Sequence, residues 1–125
     1  MSQDLVSDGL NQIMNAKRSG KEEIIIKRYS KLLLSILDVA KKEGYIKEFK
    51  AENRNLHIKI GEKLNECKAT KPRYNLKVGE IEKKMRRFLP ARDFGILIIS
   101  TNKGLITHLE AFNQEIGGQI IAYFY

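Results

Sequence analysis

Cysteine, proline and long apolar runs are all scarce in this 125-residue chain, and each scarcity closes off a class of protein. Cys67 is the single cysteine, so neither an intramolecular disulfide nor a multi-thiolate zinc site can form within the chain. No apolar run approaches the ~20 residues needed to cross a bilayer. Met1-Ser2-Gln3-Asp4 offers no basic n-region and no apolar h-region, so no secretory signal is expected. Two prolines and nine glycines serve as punctuation, without repeats or low-complexity tracts. These absences predict a soluble protein of a reducing compartment.

Charge is abundant and lopsided. Charged residues make up 30% of the chain and the hydrophobic set 42%, a globular composition. Lys and Arg number 23 against 15 Asp and Glu, a formal net charge of +8. Residues 1–16 carry −2, residues 17–50 carry +5, residues 51–92 carry +7 and residues 93–125 carry −2. Such a balance favours an anionic partner, nucleic acid or an anionic membrane surface, because binding releases counterions. A basic but merely solvated surface has the same composition.

Hydrophobic spacing predicts an α+β fold of two small lobes. Val6, Leu10, Ile13 and Met14 share one face of a helix that Gly20 can end. Ile24-Ile25-Ile26 reads as a buried strand. Ser30 is placed to cap a second helix that buries Leu33, Ile36, Leu37 and Ala40 and stops at Gly44. Tyr45–Phe49 and the alternating Leu56, Ile58 and Ile60 read as strands. This helix-strand-helix-strand-strand order is an N-terminal α/β lobe, taken as residues 1–64. The C-terminal lobe, 65–125, is expected to be β-rich with short helices. Tyr74, Leu76 and Val78 alternate as a strand after the Lys71-Pro72-Arg73 turn. Ile81, Met85 and Phe88 lie under Lys83, Lys84, Arg86 and Arg87 on a basic helix that Pro90 stops. Ile96–Ile99 is a buried strand, Thr107 and Glu110 have capping-box spacing, and Gly117-Gly118 precede a last strand, Ile120–Tyr125. The inward or outward packing of Tyr123, Phe124 and Tyr125 is open, with core favoured.

Catalytic signatures fail one by one. Asp93-Phe94-Gly95 has the letters of a kinase metal site without a glycine-rich loop or a catalytic loop, and reads as a turn entering a strand. Lys103-Gly104 does not complete a P-loop. His57 and His108 have no metal-ligand partner at i+3 or i+4, and each is expected to be a surface or half-buried histidine. Cys67 and His108 are conceivable as nucleophile and base, but Cys67 reads as an ordinary residue. No enzyme, metal or cofactor is expected.

Ser100-Thr101-Asn102-Lys103-Gly104 is different in kind: hydroxyls, an amide, an ammonium and a glycine follow directly on an apolar strand. These groups can read base edges, 2′-hydroxyls or phosphates. They also suit a polar β-turn with no partner, and the local residues leave both readings open.

The order of blocks along the chain resembles the universal small-ribosomal-subunit protein eight family over nearly the whole length. Asp8-x-Leu10-x-x-Ile13-x-x-Ala16 with Gly20-Lys21, then Ser30-Lys31, then Glu43-Gly44-Tyr45-Ile46 are similar to its first half. Lys71-Pro72-Arg73-Tyr74, Phe88-Leu89-Pro90-Ala91-Arg92-Asp93-Phe94-Gly95, Ser100–Gly104, Ile116-Gly117-Gly118 and Tyr123-Phe124-Tyr125 follow in the family's order, closest to its archaeal or eukaryotic branch. The resemblance implies a two-lobed, cytoplasmic protein of the small subunit that binds a stem of small-subunit ribosomal RNA, supports assembly and meets neighbouring ribosomal proteins. It implies no membrane and no small-molecule substrate. Ser100, Thr101, Asn102, Lys103 and Gly104 match the loop that enters a shallow minor groove, Gly118 and Gln119 the region beside it, and Ser30 and Lys31, with Arg28, the N-lobe backbone contact. Two positions depart from the pattern: Asp4-Leu5 replaces Asp-Pro, and Asn102 stands where serine is frequent. A non-ribosomal regulatory RNA-binding module of the same fold is the alternative.

Overall fold

The computed structural model describes residues 5–70, 75–90 and 94–125. Asp4, the Lys71–Tyr74 turn and residues 91–93 of the Phe88–Gly95 block lie outside the described residues. The chain forms α1 (Leu5–Arg18), β1 (Glu23–Ile26), α2 (Lys31–Lys42), β2 (Ile46–Glu52), β3 (Asn55–Ile60), β4 (Cys67–Ala69), β5 (Asn75–Leu76), α3 (Val78–Phe88), β6 (Ile96–Thr101), β7 (Gly104–Thr107), α4 (His108–Gln114) and β8 (Gly118–Phe124). The α+β class and the element order of the first lobe agree with the expectation. Among the described residues no helix is long and apolar enough to cross a membrane.

The strands form two antiparallel sheets. The first has the order β1-β3-β2; the second runs β4-β8-β6-β7, with β5 also paired to β8. α2 starts where Ser30 leaves extended backbone and its hydroxyl accepts the Leu33 N–H at 3.2 Å. It buries Leu33, Ile36, Leu37 and Ala40, all fully enclosed. Enclosing each leucine or isoleucine contributes about 1.5–3 kcal/mol. Together with Val6, Leu10 and Ile13 of α1 these residues cover one face of the first sheet. The same cluster takes in Cys67, Ala69, Ile96, Ile98, Ile121, Ala122 and Phe124 of the second sheet, so a single core runs between the two sheets. α3 and α4 cover the far face of the second sheet over Leu97, Ile99 and Ile120.

Several local expectations are corrected. Ile24–Ile26 is not a buried strand: β1 is an edge strand with one covered face, and Ile25 on the other face is 55% exposed. Of the expected Tyr74–Val78 strand, Tyr74 lies outside the described residues, Asn75–Leu76 is strand, and Val78 already begins α3. The Lys77 N–H donates to Glu80 Oε1 at 3.0 Å, and that cap starts the helix early. β4 and β7 were not anticipated. His108 is fully buried rather than surface or half-buried, since its Nδ1 accepts the Leu97 N–H at 3.2 Å. His57 is exposed. The terminal aromatics alternate: Phe124 is enclosed beside Tyr45, while half-buried Tyr123 and Tyr125 stack on the opposite face, next to Phe88 and Phe94.

Asn53 and Arg54 join β2 to β3 at φ 51° and 67°. Two successive positive φ values make the mirror-image turn that suits hairpin twist, and its second position favours glycine. Placing an arginine there costs about 1 kcal/mol.

Candidate nucleic-acid interface

β6 carries four enclosed residues, Ile96 to Ile99, before reaching half-buried Ser100 and Thr101. The strand is therefore anchored on both faces and its polar end inherits that rigidity. Thr101 pairs with Gly104 and Ser100 with Leu105, so Ser100–Gly104 is a β-hairpin tip. Gly104 takes φ +103°, the left-handed position that closes such a turn. The Thr101 hydroxyl donates to the Gly104 carbonyl at 2.9 Å and accepts the Lys103 N–H at 3.1 Å. That hydroxyl organises the turn, leaving only an acceptor site for a ligand. Asn102, Lys103 and Gly104 are exposed.

Gly118 and Gln119 lie directly beside this tip. Gln119 stands opposite Ser100 on one side and Asn75 on the other, so Asn75, Gln119 and Ser100 form a polar row across three strands. Paired residues of antiparallel strands share a face, so the three side chains emerge together. Gly118 makes the row possible: a Cβ there would stand 2.3 Å from the Ser100 carbonyl oxygen. Sequence reading missed Asn75. Its short strand has only two residues, and nothing local signals that it pairs with β8.

Ser30, Lys31 and Arg28 belong to the other lobe. The Ser30 hydroxyl is engaged as the α2 cap, Lys31 is exposed at the helix start, and Arg28 is exposed on the β1–α2 connection. The two regions approach each other through α2 and β7. Leu105, opposite Ser100 in register, lines a groove with Leu34, Ser35 and Asp38 of α2, one to two turns beyond Lys31.

The remaining chemistry is inert. Cys67 packs on α1, its thiol donating to the Leu10 carbonyl at 3.8 Å, and burial, with Glu66 adding to it, pushes that thiol up to about 12. His108 sits at the start of α4 against β6 and Phe112, away from Cys67. Among the described residues no group of three His, Cys, Asp or Glu side chains could hold a metal ion. Ion pairs such as Arg86–Glu82 at 3.7 Å and Lys42–Asp38 at 3.5 Å are exposed and contribute little.

Two small antiparallel sheets on a common core, with a hydroxyl- and amide-bearing row at one end of the second, leave an exposed polar tip on an otherwise packed α+β fold. The model of the family Ribosomal protein S8 matches residues 4–125. The chain is 40% identical to small ribosomal subunit protein uS8 of Nanoarchaeum equitans, over 100% of both chains. It is 36% identical to uS8 of Neurospora crassa and to uS8A of Saccharomyces cerevisiae, covering 97% of this chain and 96% of either relative. The chain belongs to the ribosomal protein S8 family.

Proposed function

We propose that this protein is a structural constituent of the small ribosomal subunit in the cytoplasm, with no catalytic turnover, that binds a stem of small-subunit ribosomal RNA and supports subunit assembly. Its partners are that RNA and neighbouring ribosomal proteins. The observation that carries the reading is the polar row of Asn75, Gln119 and Ser100 at the open end of a sheet whose core is fully packed. A wide, shallow minor groove is recognised by shape and hydroxyl contacts, for which a pre-organised row of amide and hydroxyl groups is suited. Ser100, Asn102, Gly118 and Gln119 read the RNA, Gly104 allows close backbone approach, and Lys103 reaches a phosphate. Thr101 holds the tip in shape. Arg28, Ser30 and Lys31 grip the sugar–phosphate backbone from the first lobe.

Crosslinking with RNA identification tests this reading. Crosslinks from residues 100–104 and 119 to one stem of small-subunit RNA, with the protein retained on small subunits through a high-salt wash, are expected. Crosslinks confined to messenger RNA, with loss from subunits in the wash, would favour the regulatory alternative.

A further inference from the structure

The first sheet has two outer strands, and they are built differently. β2 carries Lys47, Glu48, Lys50 and Glu52 among its seven residues and shifts register between Ile46 and Glu48. Charges and bulges of this kind keep an edge from pairing with another strand. β1, at the other edge, is Glu23-Ile24-Ile25-Ile26 and has no such guard at its centre.

Register shows which backbone groups β1 turns outward. The Glu22 carbonyl accepts the Ile60 N–H at 2.8 Å, so Glu22, Ile24 and Ile26 exchange hydrogen bonds with β3. Glu23 and Ile25 therefore turn their N–H and C=O groups away from it, and the Ile25 side chain is itself exposed. α1 leaves room along this edge. A recess of about 650 Å³ lies between Gln12, Asn15 and Ser19 of α1 and Glu23, Ile24 and Ile25 of β1. A second recess, of about 360 Å³, continues it past Ile25 to Lys27 and Arg28.

The sequence along the edge is complementary to itself. When two copies of residues 22–28 run antiparallel about Ile25, Ile25 faces Ile25, Ile24 faces Ile26, Glu23 faces Lys27 and Glu22 faces Arg28. That register brings the outward groups of the two Ile25 residues into one hydrogen-bonded pair and sets opposite charges directly across the new boundary. Asp8 shares the recess with Lys27 and Arg28, and Lys21 and Lys59 lie beside Glu23, so neither end carries a large excess of one sign.

We propose that the free protein forms a two-fold dimer through β1, joining two three-stranded sheets into one continuous sheet centred on the Ile25 pair. A row of backbone donors and acceptors at strand spacing suits a polypeptide, and the charges flanking Ile25 match those of the same segment reversed. The dimer uses no residue of the hairpin site and stands apart from RNA recognition there.

Sedimentation equilibrium of the full chain from about 1 μM to 1 mM, in about 0.15 M salt to screen the charge on each copy, tests this. Reversible dimerisation within that range is expected. Ile25→Lys sets two ammonium groups across the two-fold axis and should weaken dimerisation about tenfold or more, with an unchanged melting temperature because the side chain is exposed. Glu23→Lys and Lys27→Glu should each weaken it, and the double variant should return to within about threefold of the parent, because the exchanged charges match again. Ile25→Cys should form an intermolecular disulfide on mild oxidation, since paired Cα atoms about 5.5 Å apart are within disulfide reach, whereas Lys59→Cys on the inner strand should not. A parent that stays monomeric up to about 1 mM overturns the proposal and leaves the edge to a strand of another protein. A dimer that Ile25→Lys leaves intact, or a double charge exchange no better than its single variants, assigns the contact to another surface or register and also overturns it.

Discussion

Thr101 and Ser100 are adjacent hydroxyls with different surroundings. Thr101 holds the Gly104 carbonyl and the Lys103 amide, so Thr101→Ala removes two hydrogen bonds from the turn. Each is worth about 0.5–1.5 kcal/mol. Hairpin stability and RNA affinity should fall together in Thr101→Ala and be retained in Thr101→Ser, as read by thermal melts and filter binding. Cys67 gives a second prediction at this scale. With its thiol pushed up to about 12 and enclosed against α1, it should react with an aromatic disulfide reagent at pH 8 only after denaturant is added. Reaction of the native protein at the rate of a free thiol would contradict that packing. Sequence reading could name the chemical types at residues 100–104 but not the internal engagement of Thr101, because a hydroxyl's partner depends on where the turn closes.

Elements with strong local signals were the legible ones. α2 has its cap at Ser30, its apolar residues at helical spacing and its stop at Gly44, and all three hold. Leu33→Ala should cost about 2–5 kcal/mol, measured by chemical denaturation, since it opens a cavity between α1, α2 and the first sheet. β4, of three residues, escaped because its partner β8 is distant in sequence, and β7, of four, because Leu105-Ile106 ahead of the Thr107 cap is too short an apolar stretch to show a strand period. Ile24–Ile26 was misread because an apolar run does not tell whether a strand lies in the middle of a sheet or at its edge. The end of β8 makes a pH-dependent prediction. The Tyr125 hydroxyl donates to Glu66, and that bond, with burial adding to it, raises the phenol from 10.0 to about 12. A raised phenol favours the folded state while protonated, so this contribution is complete below pH 10 and disappears as pH rises toward 12. Between those values the parent should lose melting temperature more steeply than Tyr125→Phe; identical curves would contradict it.

The whole molecule divides by topology more than by core. We take 1–64 and 65–125 as the lobes because each contains one complete sheet, yet seven buried residues of the second belong to the cluster under α1 and α2. Thermal unfolding should therefore be one cooperative transition, with coincident curves from secondary-structure and aromatic signals. Two resolved transitions would show that the lobes are independent. Family membership was legible because blocks spread along the chain keep their order, whereas the polar row was not, since Asn75, Gln119 and Ser100 meet only after β5, β8 and β6 pair.

The same scale holds the central claim: an almost uncharged sheet end supplies specificity, and the chain's net charge of +8, nearly all of it carried elsewhere, supplies affinity. Its most direct test is a salt titration of parent and Ser100→Ala on the cognate ribosomal stem and on an unrelated RNA duplex. The account predicts parallel salt slopes, with Ser100→Ala weaker by about 1–3 kcal/mol on the cognate stem alone. An equal loss on both RNAs, or a changed slope with undiminished preference for the cognate stem, would contradict it.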